Sequence, residues 1–232
     1  KGGYHPEYDG FTIGTSKPST YPVKQADTIL LSYPLGLELL HPLENQSYIN
    51  DLYVYDPLTD PQGPAMTWST FAIGWMNVHN YTKAASLFQR SYTQNVNLPY
   101  NVWSEGPHGT DTINFITGAG GFLQAALFGC SGMRMKSYGF FTFDPPPPMV
   151  TGVSNVMSMN IESMSICDGW RIGQKVTATS MELKVIESKV VEATTKTTPF
   201  LEISLSNGTD IQLRQVGDVV VVSRGKVGLK CN

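Results

Sequence analysis

"PAMTWSTFAIGWMNVHNYTKAASLFQRSYTQ", residues 64–94, sets two helical segments of opposite character end to end. Pro64 suits a first helical turn, where a missing N–H costs nothing. From there to Val78 the segment is apolar nearly all round, the pattern of a helix buried on several sides. Asn80 stands where an N-cap belongs. Behind it Ala84, Leu87, Phe88 and Tyr92 fall on one stripe, with polar residues elsewhere, as in an amphipathic helix. A buried helix followed by an amphipathic one is the pairing expected of an α/α toroid.

The same character extends to both sides. "VKQADTILLSY" (23–33) reads as a helix that starts after a turn running from Pro18 to Pro22, and "GAGGFLQAALFGC" (118–130) reads as another buried helix. Between them "NVWSEGPHGTDT" (101–112) is too polar and glycine-rich to pack as a helix and reads as a long loop. At "FFTFDPPPPMV" (140–150) the pattern changes, because four consecutive prolines stop any regular element. Beyond them Val, Ile, Thr and Ser alternate in "VTATSMELKVIE", "PFLEISLSNGTDIQLRQ" and "GDVVVVSRG", with Gly169, Gly173, Gly208 and Gly217 as turn signals. The expectation is an α+β multidomain chain: helices of an α/α barrel over residues 1–140, then a small β-sandwich over 141–232.

Composition narrows the function. The chain has 232 residues, 41% of them hydrophobic and 15% charged, with a net charge of −3. That balance gives no basic footprint for nucleic acid or for an anionic membrane surface. No apolar run approaches the ~18 residues of a membrane span. The chain opens at Lys1 with no signal-like segment and reads as the interior of a domain, so a proteolytic fragment of a longer precursor is expected. Three cysteines, Cys130, Cys167 and Cys231, show no metal-binding spacing. A disulfide between Cys167 and Cys231 and a set of free thiols, with Cys130 buried in a helix, both fit the sequence. N-x-[ST] triplets at Asn45, Asn80 and Asn207 are candidate glycosylation sites, about as many as chance gives; Asn207 lies in an Asn-Gly turn.

Four segments stand out for chemistry. "HPEYDGF" places His5, Glu7 and Asp9 among aromatics; "VKQAD" brings Lys24, Gln25 and Asp27; "PQGPAMTWS" brings Thr67, Trp68 and Ser69; the central loop brings Trp103 beside Glu105. Polar groups interleaved with tryptophans suit a sugar, whose hydroxyls want hydrogen bonds and whose C–H face wants an aromatic platform. No Gly-rich loop ending in Lys is present for a phosphate, and no cofactor is called for.

In this order "HPEYDGF", "VKQADTILLSYPL", "PQGPAMTWSTFAIGWM", "VWSEGP" and "NFITGAGGFLQAALFGCSGMR" resemble glycoside hydrolase family 65, over about residues 4 to 144. The resemblance fades in the β region. It implies the last helices of an (α/α)6 barrel followed by the family's small C-terminal β-domain. It implies further that Lys24 and Gln25 grip a glucosyl unit; Trp68 and Trp103, by residue type, are the expected aromatic lining of the substrate site. Glu105, in the "VW[ST]E" loop, matches the general base of the hydrolytic members; phosphorolytic members lack this glutamate. The general acid of the family lies earlier in the barrel, so the resemblance implies an N-terminal chain of the same precursor as partner. The activity implied is that of an inverting α-glucosidase acting on glucose α-1,2-linked to the galactose of hydroxylysine, or on a related α-glucoside. The N-x-[ST] triplets lean toward a secreted protein or one in the secretory pathway. A cytoplasmic location is the alternative. Members usually carry Asn after the base; here Gly106, Pro107 and His108 follow, which leaves loop shape and acceptor preference open. A catalytically inactive, secreted carbohydrate-binding, defence or toxin protein on the same scaffold is the competing function.

Overall fold

The computed structural model describes residues 3–13, 21–37, 45–151, 156–167, 169–188 and 200–232. They form an α+β chain that divides into two compact units, Lys1–Ala126 and Leu127–Asn232. The division falls before the composition shift at 140/141, because the hairpin that precedes the prolines is already part of the second unit's sheet. The turn expected at Pro18 lies outside the described residues. Among the described residues no helix is long and apolar enough to cross a membrane.

In the first unit α1 (Asn45–Leu58), α2 (Met66–Asn77), α3 (Tyr81–Thr93) and α4 (Ile116–Gln124) are joined by loops. Nine of the twelve residues of α2 are buried, from Thr67 to Met76 with only Thr70 left out. It is the central helix of the unit. On α3, Ala84, Leu87 and Phe88 are buried on the expected stripe, and Asn80 accepts a hydrogen bond from the Lys83 amide as its N-cap. Glycines let the helices approach α2 closely. A Cβ on Gly74 would lie 2.5 Å from Leu52 of α1, and one on Gly121 of α4 would lie 2.5 Å from the Ser69 hydroxyl.

Three elements differ from the sequence reading. α1 was not anticipated: its buried residues Tyr48, Asp51, Leu52 and Tyr55 have helical spacing, but the acid in mid-stripe hides the apolar pattern. The segment 23–33 makes only a 3-10 turn, Thr28–Leu31. Asp27 gives that turn no side-chain cap, and Tyr33 precedes a proline, which disfavours further helical backbone. Finally, α4 is buried on one side alone. Gly118, Gly121 and Ala125 are buried, whereas Ile116 and Leu123 are 83% and 64% exposed.

The second unit is a β-sandwich. One sheet runs β3 (Met133–Ser137), β4 (Phe140–Phe143), β11 (Val227–Cys231), β8 (Leu201–Ser204), β9 (Asp210–Leu213); the other runs β10 (Val219–Ser223), β7 (Ser180–Glu187), β6 (Trp170–Thr177), β5 (Ser158–Cys167). Phe143, Leu201, Ile203 and Leu229 of the first and Trp170, Ile172, Met181 and Leu183 of the second meet in one core. Gly169, Gly208 and Gly217 take the positive φ of tight turns. Gly173, expected to end a strand, lies within β6. Opposite it the register of β5 shifts between Ile161 and Met164, and a Cβ there would stand 3.0 Å from the Glu162 carbonyl, so the glycine accommodates a β-bulge. Cys167 and Cys231 are joined in a disulfide with Cα atoms 6.7 Å apart, and Cys130 is a buried free thiol.

Candidate active site

The loop after α3 is built to hold one residue. Two short strands, β1 (Val96–Asn97) and β2 (Val102–Trp103), pair antiparallel and deliver Ser104 and Glu105. Both main-chain groups of Glu105 are used: its N–H donates to the Thr112 carbonyl (2.8 Å), and its carbonyl accepts from Ala65 N (2.9 Å) and Asn95 Nδ2 (3.0 Å). Ser104 is fully buried; its hydroxyl donates to the Gly106 carbonyl (2.7 Å) and accepts from Asn97 Nδ2 (2.9 Å). With its backbone pinned, Glu105 has only its carboxylate to offer, and that side chain is 24% exposed.

The remainder of the loop is tightly coiled. His108 N donates to the Gln94 carbonyl and Gly106 N to the Thr110 carbonyl. Asn101, His108, Asp111 and Asn114 all have φ between 55° and 61°. Asn, Asp and His tolerate this left-handed region better than most side chains, yet each such residue costs about 1–2 kcal/mol. A loop that keeps four of them is held in a particular shape by its contacts. Gly106 is part of that shape: a Cβ there would lie 2.3 Å from Thr110 Oγ1 and 2.4 Å from Asp111 Oδ2. The residue after Glu105 therefore has no side chain, and Thr110 and Asp111 fill the space.

Lys24 comes to Glu105 from a distant segment. Val23 bridges in parallel to Thr59, and Asp60 N donates to the Val23 carbonyl (2.8 Å). Gly63 lies against this strand so closely that a Cβ would stand 2.2 Å from the Lys24 carbonyl oxygen. Thus placed, Lys24 Nζ lies 3.6 Å from Glu105 Oε1, with 72% of the lysine side chain exposed. A pair this open contributes about 0–1 kcal/mol, so either partner can turn to a ligand at little cost. Gln25 donates its Nε2 to Asp27 Oδ1 (2.9 Å).

"HPEYDGF" has a structural task. His5 donates its backbone N–H to Asp51 Oδ1 (2.8 Å), and its Nδ1 meets Asp51 Oδ2 at 2.7 Å. Desolvation raises the Asp51 pKa, opposed by the His5 hydrogen bonds. The Tyr55 hydroxyl donates to the His5 carbonyl and the Thr28 hydroxyl to Glu7. Glu7 thereby ties this segment to the one that carries Lys24, while Asp9 is exposed.

The two tryptophans part company. Trp68, expected to line the sugar site, is 1% exposed, with the Arg90 guanidinium 3.6 Å from the centre of its ring. It is a core residue whose face is already taken by a cation. Thr67 and Ser69 are fully buried beside it, and Thr67 Oγ1 and Trp68 Nε1 have no hydrogen-bond partner among the described residues. Trp103 is half-buried, tilted against Phe122 at 5.8 Å, at the end of the strand two residues before Glu105. Sequence reasoning missed Gly63, Asn95 and Asn97, which hold the backbones of Lys24 and Glu105 and the Ser104 hydroxyl. No periodicity marks them. All three candidate glycosylation asparagines, Asn45, Asn80 and Asn207, are exposed.

The chain is similar to known proteins over most of its length. It is 37% identical over 212 residues to a protein-glucosylgalactosylhydroxylysine glucosidase of Danio rerio, covering 90% of this chain and 28% of that one. To the protein of the same description in Gallus gallus it is 43% identical over 157 residues, 65% of this chain and 21% of the relative. A kojibiose hydrolase of Mucilaginibacter mallensis is 33% identical over 145 residues, 62% of this chain and 19% of that one. The chain thus spans 19% to 28% of the length of these curated relatives. No family model matches it.

Proposed function

We propose that this chain, which belongs to glycoside hydrolase family 65, supplies the general base and part of the glucose-binding surface of an inverting α-glucosidase. The substrate is a glucose α-1,2-linked to the galactose of hydroxylysine, or a related α-glucoside such as kojibiose. The observation that carries this reading is the meeting of Lys24 and Glu105 at 3.6 Å on a backbone pinned from both sides. Relatives described as a glucosidase and as a kojibiose hydrolase support the hydrolytic reading.

In this reading Glu105 takes a proton from water as that water attacks the anomeric carbon. Lys24 and Gln25 hold the glucosyl hydroxyls, and Trp103 borders the site two residues before the base. Inversion needs a second carboxyl, a general acid on the opposite face of the sugar, with the two groups roughly 6.5–9.5 Å apart. The N-terminal part of the same precursor supplies it, together with the other helices of the barrel. The exposed apolar residues Leu98, Tyr100, Ile116 and Leu123 of the first unit support such a partner, which would cover them. The Cys167–Cys231 disulfide supports a route through the secretory pathway.

The test is the full-length protein with kojibiose, followed by NMR. The glucose from the non-reducing end should appear first as the β-anomer, because water enters from the face opposite the leaving group. Formation of the α-anomer from the non-reducing-end unit, beyond the α-glucose that the reducing-end unit brings with it, would refute inversion. No hydrolysis of any α-glucoside would replace the enzyme with an inactive sugar-binding scaffold.

A further inference from the structure

We propose that Asp27 is a positioning residue that fixes which end of the Gln25 amide meets the sugar. The inference rests on the reading of Gln25 as a glucose-binding residue. An ionised carboxylate can only accept hydrogen bonds, so the group facing it must be the amide nitrogen, and Gln25 Nε2 indeed lies 2.9 Å from Asp27 Oδ1. With its nitrogen committed, the amide turns its carbonyl oxygen the other way. Gln25 then offers an acceptor to a sugar hydroxyl, next to the donor offered by Lys24.

Two features of the local structure favour this role over a merely structural one. Asp27 occupies the N-cap position of the 3-10 turn Thr28–Leu31, where an aspartate usually accepts from the helix amides, yet its side chain makes no cap bond. Its backbone carbonyl, not its carboxylate, accepts from Leu30 N at 2.9 Å. The turn is therefore held by the main chain, and the carboxylate is left to act on Gln25. Gln25 itself follows Lys24, whose carbonyl packs against Gly63, so the amide starts from a fixed backbone.

The experiment uses the full-length protein with kojibiose as substrate and glucose as competing product. Asp27→Ala should raise both KM and the inhibition constant for glucose about 3- to 10-fold, the effect of losing control of one hydrogen bond, with kcat and Tm little changed. Asp27→Asn, which can present either a donor or an acceptor, should do the same to a lesser degree. In a Gln25→Ala background Asp27→Ala should change nothing further, since the two residues act as one unit. Reversing the pair with Gln25→Glu and Asp27→Asn should recover affinity relative to Asp27→Ala, because the asparagine amide now donates to the glutamate. An unchanged KM in Asp27→Ala, an equal effect in both backgrounds, or a loss of Tm alone would overturn the proposal. If Gln25→Ala also leaves KM unchanged, the glucose-binding assignment of Gln25 fails, and the role of Asp27 fails with it.

Discussion

Lys24 Nζ stands 3.6 Å from Glu105 Oε1, although the two residues lie on segments far apart in the chain. Neither side chain makes the meeting happen. The Lys24 backbone is set by the bridge from Val23 to Thr59 and by Gly63; that of Glu105 is set by bonds to Ala65, Asn95 and Thr112. Residues 59–65 run between the two, so one short turn, entering α2, places both halves of the site.

That turn is open to test through Gly63. A Cβ at this position would meet the Lys24 carbonyl at 2.2 Å and the Asp60 carbonyl at 2.9 Å, both backbone atoms that cannot swing aside. Gly63→Ala should therefore cost about 1–3 kcal/mol of stability, as overpacking does, and should weaken glucose binding by displacing Lys24. Chemical denaturation and glucose titration measure the two effects. A variant with unaltered stability and affinity would show that the close approach is unimportant.

Gly106→Ala should behave differently. Here the Cβ would meet the Thr110 hydroxyl and the Asp111 carboxylate, which are side-chain ends and can move. The backbone φ at Gly106 is −86°, which any residue adopts. Stability should fall little, but displacing Thr110 and Asp111 loosens the loop that pins Glu105. Misplacing a catalytic group by about 1 Å can cost on the order of 10²-fold in rate. A large fall in kcat with Tm nearly unchanged is the expected result; full activity would mean that the loop tolerates another shape.

Much of the first unit is legible in the sequence, for physical reasons. α2 and α3 follow from apolar spacing and an Asn N-cap, because in that pair local pattern and tertiary burial agree. α1 did not follow, because Asp51 interrupts its stripe to serve His5. Trp68 was misplaced: its residue type suits a sugar platform, but only the fold reveals the Arg90 guanidinium over its ring. Asn95 and Gly63 carried no signal, since a backbone contact at long range leaves no trace in periodicity. The exposed side of α4 leaves no mark in the sequence, because residue type alone does not tell which side packs against α2.

The Cys167–Cys231 bond closes a loop spanning a sequence separation of 64 residues. On the chain-entropy model a loop of this size contributes about 4 kcal/mol. Non-reduced peptide mapping should find the two cysteines joined and Cys130 free. Replacing both with serine should lower the denaturation midpoint of the β-unit while leaving the first unit's transition in place. Two free thiols would remove the argument for an oxidising compartment.

Tyr55 gives a pH signature for the first unit. Desolvation pushes its hydroxyl from 10.0 up to about 12, helped by the nearby charges of Glu7 and Asp51 and opposed by the Thr28 hydrogen bond. The folded state thus keeps the phenolic proton more tightly than the unfolded chain. The resulting stability is full below about pH 10 and is lost as pH rises through about 12. Thermal melts across that range should fall more steeply for the wild type than for Tyr55→Phe. Parallel slopes would show that the hydroxyl is not desolvated.

Glu105→Gln in the full-length protein, with turnover of kojibiose measured at saturation, is the most direct test. The substitution keeps size and hydrogen bonding but removes the charge and the basic lone pair. General-base assistance is worth about 10²- to 10⁴-fold, so kcat should fall by that order while glucose still binds through Lys24 and Gln25. A Glu105→Gln protein that turns over kojibiose at the wild-type rate would contradict the assignment of Glu105 as the base.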